Sequence, residues 1–289
     1  MKLVTTTNTL ENRFGLKEAI KRINEYGFDG YDCWLNDGGE AFKAISESEN
    51  YLDFAKEVRA YADKIGIPCL QAHAPFPTFT RTKTRKEDIA LQIRAIEFSA
   101  ILGAEVIVIH PDSFISFQEN FDEIYFKLLP VAEKAGIKIA TENMFRRKPE
   151  TREIYPAACG TPEEFASYVD FAGSDFFTAC LDIGHTELTN TAGVEAFIKG
   201  LGGKRLTAVH VHDNDKIDDK HAFPFLGKID WDKACRCLAE IDYQGNFTFE
   251  ADKTTARFPD ALLPEAYNLL LKTGRYLIEK IEEYKKAAV

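Results

Sequence analysis

The residues in this chain that can do chemistry stand at the ends of short apolar runs. QAH ends at His73, VIVIH at His110, IATE at Glu142, TACLD at Asp182, VHVH at His210 and His212, and FTFE at Glu250. Imidazole nitrogen and carboxylate oxygen together suit a divalent cation, with Mn, Zn, Co, Fe and Mg admitted according to the oxygen-to-nitrogen ratio. A lone histidine or glutamate at such a position is usually a hydrogen-bonded or solvated residue. A suitable group at every one of these ends is read instead as one centre. Asp182-x-x-His185 adds an imidazole one step further on, able to bind substrate or a second metal, and Asp219-Lys220-His221 repeats the acid-plus-imidazole pairing. Asp213, directly after the His-x-His pair, is read as a partner that fixes an imidazole tautomer.

Two acids beside one cation imply a reaction. A carbonyl and a neighbouring hydroxyl that chelate the cation make the α-proton more acidic, because the developing enediolate is stabilised. One of Glu142 and Glu250 removes that proton and the other returns one. Arg146-Arg147-Lys148 is a place for a substrate phosphate or carboxylate, or a solvated charge cluster, and Trp34 is a place for sugar stacking or simple packing. Trp231 is expected to begin a helix and pack. Phe76, Phe79, Phe114 and Phe145 follow strand ends and can wall a pocket. Cys235-x-Cys237 has the wrong spacing for a metal knuckle and belongs on a helix, where i and i+2 face apart.

The elements that must carry these groups repeat in pattern. Strands are expected at about 2–6, 29–34, 67–73, 105–110, 137–142, 176–182, 205–212 and 246–250, and VIVIH and IKIA are nearly all apolar, as parallel strands buried on both faces are. Helical spacing occupies about 16–26, 50–65, 84–102, 117–135, 161–172, 191–200, 231–241 and 263–286, with Ile89, Ile93, Ile96 and Ala100 forming one stripe. Thr161-Pro162-Glu163-Glu164 reads as a helix start. Gly27, Gly66, Gly103, Gly136 and Gly245 sit where helices turn into strands, a place for left-handed backbone. Eight βα units in 289 residues are the arithmetic of an α/β (β/α)8 TIM barrel. The chain has neither the G-x-G-x-x-G nor the G-x-x-x-x-G-K-[ST] phosphate loop, which weighs against an open doubly wound sheet. No low-complexity linker divides it, so residues 1–289 are read as a single domain whose strand ends meet at one mouth.

Composition sets outer bounds. Lys+Arg number 36 against 46 Asp+Glu, a formal net charge of −10, which disfavours coating of a phosphate backbone and so argues against a nucleic-acid partner. No apolar run reaches the roughly 18 residues of a membrane span. The six cysteines form no CxxC pair and no export signal is evident, so free thiols and a cytoplasmic location are expected.

At these strand ends the chain resembles the xylose isomerase-like TIM-barrel superfamily, which includes sugar isomerases and epimerases, inositol-catabolism enzymes and AP endonucleases. The matching segments are QAHAPF (71–76), VIHP (108–111), TENM (141–144), LDIGHT (181–186), VHVHDND (209–215), DKHAFPFLGKIDW (219–231) and TFEAD (248–252), in order along nearly the whole chain. The epimerase branch implies a metal held by Glu142, Asp182, His210 and Glu250, with the glutamates moving the proton and His185 touching substrate. His210 fits the His-x-x-acid pattern through Asp213, but His212 fits it through Asp215. The AP endonuclease branch implies a trinuclear zinc cluster, with candidates at His73, His110, Glu142, Asp182, His185, His210, Asp219, His221 and Glu250. Against that branch, LDIGHT stands where LDTCH is usual and HVHDND where H-x-N-D-S-K is usual. The expectation is therefore a metal-dependent isomerase or epimerase of a small sugar, sugar phosphate or inositol derivative. An abasic-site zinc phosphodiesterase, a polyol dehydratase and a non-catalytic sugar-binding barrel are the alternatives. Homo-oligomers are common among relatives, and no interface can be read from the sequence.

Overall fold

The computed structural model describes residues 1–36, 38–80, 82–188 and 192–287. Eight parallel strands carry the fold: β1 (Leu3–Thr6), β2 (Gly30–Trp34), β3 (Cys69–His73), β4 (Val106–Val108), β5 (Lys138–Glu142), β6 (Phe177–Asp182), β7 (Leu206–Val211) and β8 (Asn246–Phe249). Each is hydrogen-bonded to its neighbours in sequence, and β8 returns to β1, closing the ring of a (β/α)8 barrel. Apart from Lys138, Thr207 and Asn246, every residue of these strands is buried, as strands with helices on one face and a packed interior on the other must be.

Contacts gather the chain into two compact units, one of Met1–Leu3, Glu142–Asp170 and Ala179–Val289, the other of Val4–Thr141 and Phe171–Thr178. In the first, helix Trp231–Glu240 packs against helix Leu263–Ala287, where the Cys235 thiol lies 3.6 Å from the Leu277 carbonyl oxygen. Cys235 and Cys237 are both buried on that short helix, as are the other four cysteines in their own places. In the second, Phe121 is the hub of an aromatic cluster with Phe117, Tyr125, Phe126, Phe171 and Phe177.

Helix starts and stops follow local chemistry. Thr84 and Glu87 make a reciprocal capping box at helix Arg85–Leu102, and Thr161 Oγ1 accepts the Glu164 N–H ahead of helix Pro162–Ala172. Gly27, Gly66, Gly103 and Gly136 take positive φ at helix ends. Gly245 does not: Asp242 supplies the positive φ there (50°), and a Cβ on Gly245 would lie 2.2 Å from the Thr207 carbonyl oxygen, so that glycine is needed for space. The stretch 117–135 is not one uniform helix. Phe117–Asn120 and Phe126–Ala135 flank a π turn at Phe121–Tyr125. Pro130 lacks an N–H and its ring crowds the Phe126 carbonyl, and the widened turn ends where that crowding begins. The helix expected from residue 191 begins outside the described residues and runs as Gly193–Arg205, bent at Gly202. Short helices Asn8–Phe14, Glu40–Glu47, Ile183–Leu188 and Asp252–Thr255, and the antiparallel hairpin Phe145–Arg147 with Ile154–Pro156, were not expected from sequence.

Candidate metal centre

Glu142 closes β5, His210 lies in β7, and Glu250 follows β8 by one residue. Parallel pairing sets Thr248 beside His210 on one side and Asp182 beside it on the other. The result is a buried three-donor group: His210 Nδ1 is 3.1 Å from Glu250 Oε2 and 3.3 Å from Glu142 Oε2. The Cys180 thiol lies close enough to Glu142 and His210 to share a cation with them.

Asp182, expected in the same ligand set, turns its carboxylate toward a second group. Its Oδ2 is 2.9 Å from His212 Nε2 and 3.6 Å from His185 Nε2, while Oδ1 accepts the His185 backbone N–H at 2.8 Å. Asp219 Oδ1 lies 3.7 Å from His212 Nε2 and 3.9 Å from His185 Nε2. His221 is engaged at both ring nitrogens, Nδ1 by the Glu250 carbonyl at 2.7 Å and Nε2 by Asp219 Oδ2 at 2.9 Å. Its ring stacks on His212 with centroids 4.2 Å apart and planes 3° from parallel.

The electrostatics test whether these donors fit a cation. Burial alone pulls an imidazole toward neutrality, yet His210 is held well above its usual range because Cys180, Glu250 and Glu142 reverse that effect. Burial likewise opposes charge on His221, and Glu250, Asp219 and Asp252 overcome it. Burial pushes the Asp219 carboxyl up, but His221, His212 and His185 bring it well below the ordinary carboxylate value. Glu250 is lowered in the same way by His210 and His221. Buried carboxylates here recruit positive charge from the His210 and His221 imidazoles, which is the demand a divalent cation meets. The donor set fits one.

Several supporting residues carry no metal-type side chain and were missed from sequence. Asn143 lies next to Glu142, and its amide holds Asp182 from both sides, Oδ1 accepting the Asp182 N–H at 2.8 Å and Nδ2 donating to the Asp182 carbonyl at 3.0 Å. The Asn143 carbonyl accepts from His185 Nδ1 at 2.8 Å, which assigns the proton to Nδ1 and leaves Nε2 to face the second group. Gly184 is required for space, since a Cβ there would sit 2.0 Å from His212 Cε1. A polar residue directly after a strand-end acid, and a glycine inside D-x-G-H, are the signals that could have flagged them.

Asp213 corrects an expectation. Its carboxylate fixes no imidazole. It accepts the backbone N–H groups of Asn214, Phe225 and Ile229 and the indole N–H of Trp231 at 2.8–3.2 Å. Four donors on one buried acid lock the loop that brings in Asp219 and His221. Trp231 does begin its helix and is buried. Asp215 also leaves the histidines alone, pairing with Lys220 and the Ile217 and Asp218 N–H groups.

On the hairpin, Phe145 packs edge-on against His185, Arg146 lies over Tyr155, Arg147 pairs with Asp218, and Lys148 pairs with Glu153. Within the other unit, His73 Nε2 and His110 Nε2 are 3.1 Å apart. Trp34 packs on His73 and Phe76 there, and Phe76 stacks on His110. Phe79 lies under Arg85, and Phe114 is exposed. An open groove of about 1170 Å³ in that unit, lined by Phe14, Lys17, Glu40, Lys43, Phe54 and Tyr61, contains none of the candidate residues. No helix among the described residues is long and apolar enough to cross a membrane.

The chain is similar to known proteins in sequence and in fold. The chain is 26% identical over 235 residues to an inosose dehydratase of Bacillus thuringiensis, covering 72% of this chain and 76% of that one. It is 29% identical over 253 residues to an uncharacterised protein of Methanocaldococcus jannaschii, covering 81% and 78%. A D-tagatose 3-epimerase-like protein of known structure superposes with a TM-score of 0.72 at 25% identity, covering 100% of both chains. The model of the xylose isomerase-like TIM barrel family matches residues 20–273, and the chain belongs to that family.

Proposed function

We propose that the chain is a divalent-cation-dependent isomerase or epimerase of a small sugar-like substrate, moving a proton between Glu142 and Glu250. The observation that carries this reading is the approach of both carboxylates to one buried imidazole nitrogen, at 3.1 and 3.3 Å. Glu142, His210 and Glu250 hold the cation, while Asp182, the register partner of His210, directs its carboxylate to His212 and His185. When bound, the cation polarises a substrate carbonyl and stabilises the negative charge that develops beside it. One glutamate takes the proton from the carbon next to the carbonyl and the other delivers one to the substrate. Burial excludes water from that exchange and keeps both groups oriented. Similarity to a D-tagatose 3-epimerase-like protein and to an inosose dehydratase supports a polyhydroxylated carbonyl substrate. Epimerisation and loss of water beside a ketone share the same first step, so a dehydratase outcome falls within the same site chemistry.

The test is solvent exchange. The chain, loaded separately with Mn²⁺, Co²⁺, Zn²⁺ or Mg²⁺, is incubated in D₂O with a panel of ketoses and inososes, and deuterium at carbon is read by mass spectrometry. Glu142→Gln and Glu250→Gln each lower exchange by about 10²–10⁴. Full activity in both variants overturns the two-carboxylate reading. Cleavage of an abasic duplex at catalytic rates replaces it with a phosphodiesterase.

A further inference from the structure

We propose that the buried thiol of Cys180 is a positioning residue of the candidate centre: it accepts the Nε2 proton of His210 and so aims Nδ1 at Glu142 and Glu250. The inference rests on the reading of those three residues as the donors to one cation.

Strand geometry brings the thiol beneath the ring. Cys180 and Asp182 stand two apart on β6 and so share a face. Pairing sets Asp182 beside His210 and Cys180 beside Ala208, which leaves Cys180 about 6.6 Å deeper along its strand than Asp182. Cys180 is wholly buried. One donor atom each from Cys180, Glu142 and His210 lies within 4.8 Å of the others, and the thiol and the imidazole are hydrogen-bonded.

The two glutamates stand at the ends of their strands and meet the Nδ1 side of the ring, at 3.1 and 3.3 Å. An imidazole that offers its Nδ1 lone pair to a cation carries its proton on Nε2. The group that accepts that proton fixes both the tautomer and the rotation of the ring. Approaching from below, Cys180 is placed to be that group. Neighbouring histidines are fixed by oxygen instead, His185 Nδ1 by the Asn143 carbonyl and His221 Nδ1 by the Glu250 carbonyl. At His210 sulfur takes this part. It is a weak acceptor, so Cys180 orients the ring while adding little to its basicity.

Three variants separate a hydrogen bond from packing. Cys180→Ser keeps an acceptor, Cys180→Val fills the space without one, and Cys180→Ala does neither. In the metal-free full chain, long-range proton–nitrogen NMR should show a slowly exchanging His210 Nε2–H, assigned by its absence in His210→Gln. Cys180→Ser keeps that proton protected, and Cys180→Val and Cys180→Ala lose the protection. Zn²⁺ affinity, read by competition with a chromophoric chelator, falls about 10–100-fold in Cys180→Val and Cys180→Ala and stays within about threefold of wild type in Cys180→Ser. With Co²⁺ the wild type shows no near-ultraviolet thiolate-to-metal band. Four results each overturn the positioning role: no protected Nε2–H in wild type, affinity restored by Cys180→Val but not by Cys180→Ser, unchanged affinity in all three variants, or a thiolate–cobalt band that Cys180→Ser removes. A wild type that shows the protected Nε2–H yet takes up no cation overturns the cation reading instead and leaves the hydrogen bond standing.

Discussion

Glu11 is a carboxyl buried where a charge costs stability, and changing it to glutamine should reverse its effect between acid and alkaline pH. The side chain is 4% exposed. Its Oε1 accepts the Ala41 N–H at the start of helix Glu40–Glu47, at 2.9 Å, and its Oε2 accepts the Thr7 hydroxyl at 3.0 Å. Thr7 Oγ1 in turn accepts the Trp34 N–H at 3.1 Å, so the carboxyl braces the end of β2. Burial first, and the nearby Glu40 charge to a lesser degree, push the carboxyl from 4.5 up to about 7, against the hydrogen bonds from Ala41 and Thr7. A raised acid contributes stability that is fully present below its unfolded pKa and lost as pH rises through the folded one, here from about 4.5 to about 7. At about 1.4 kcal/mol per tenfold change in proton affinity, the loss by pH 8 is about 3 kcal/mol. Glu11→Gln removes that loss. Its amide oxygen still receives Ala41, but its NH₂ cannot accept the Thr7 proton, a cost of about 1 kcal/mol. The variant should lie within about 1 kcal/mol of wild type at pH 5 and be more stable by about 2 kcal/mol at pH 8. With an unfolding entropy of about 0.6 kcal/mol/K for a chain of this length, that is about 3 °C in Tm. Urea unfolding and refolding of both proteins at pH 5, 6, 7 and 8 measures it. A wild-type-to-variant difference that is the same at pH 5 and pH 8 refutes the reasoning, whatever its size.

Gly184→Ala puts a methyl 2.0 Å from His212 Cε1, and it should cost about 1–3 kcal/mol in urea unfolding while displacing the histidine from the second donor group. Asp213→Asn turns an acceptor of four N–H groups into one that presents NH₂ to some of them. A loss of about 2–4 kcal/mol and a red shift of Trp231 emission are expected, and unchanged stability would show that the loop is held by other contacts. Removing metal by chelation should lower Tm by about 4 °C relative to protein at a free-cation level of about 100 Kd, since binding at that level contributes about 2.7 kcal/mol. Re-addition of cation should restore it, and no shift with either Mn²⁺ or Zn²⁺ would argue that the buried imidazoles alone balance the acids.

The barrel was legible because its strands are short, apolar and separated by amphipathic stretches of the right length, and because glycines at Gly27, Gly66, Gly103 and Gly136 mark the helix-to-strand turns. The missed elements lack those cues. Helix Asn8–Phe14 reads NTLENRF, with no apolar period and no side-chain cap. Its stability comes from distant partners, since Glu11 reaches the N-terminus of another helix. The hairpin Phe145–Arg147 with Ile154–Pro156 is three residues per strand and only partly buried, too short for an alternation pattern to register. Asp213 was misread because sequence proximity to two histidines suggested contact with them. In the fold its carboxylate is drawn to four donors from a loop that closes over it up to eighteen residues later.

The His210-Val211-His212 pair shows most clearly where sequence stops and packing begins. Spacing of two along a strand puts both imidazoles on the same face, so sequence can say that they point into one region. Which acids each one meets depends on the register of the neighbouring strands and on the loops beyond them. Register places His210 beside Thr248 and Asp182, and Glu250, two residues past Thr248, curls back to His210 Nδ1. His212 lies one residue past the end of β7, where no ladder constrains it, and there it meets the free oxygen of Asp182 and the loop residue Asp219. Which acids each of the two histidines meets is therefore set by elements outside their own strand. The strand delivers both, and the loop that Asp213 pins decides that the second has carboxylates of its own.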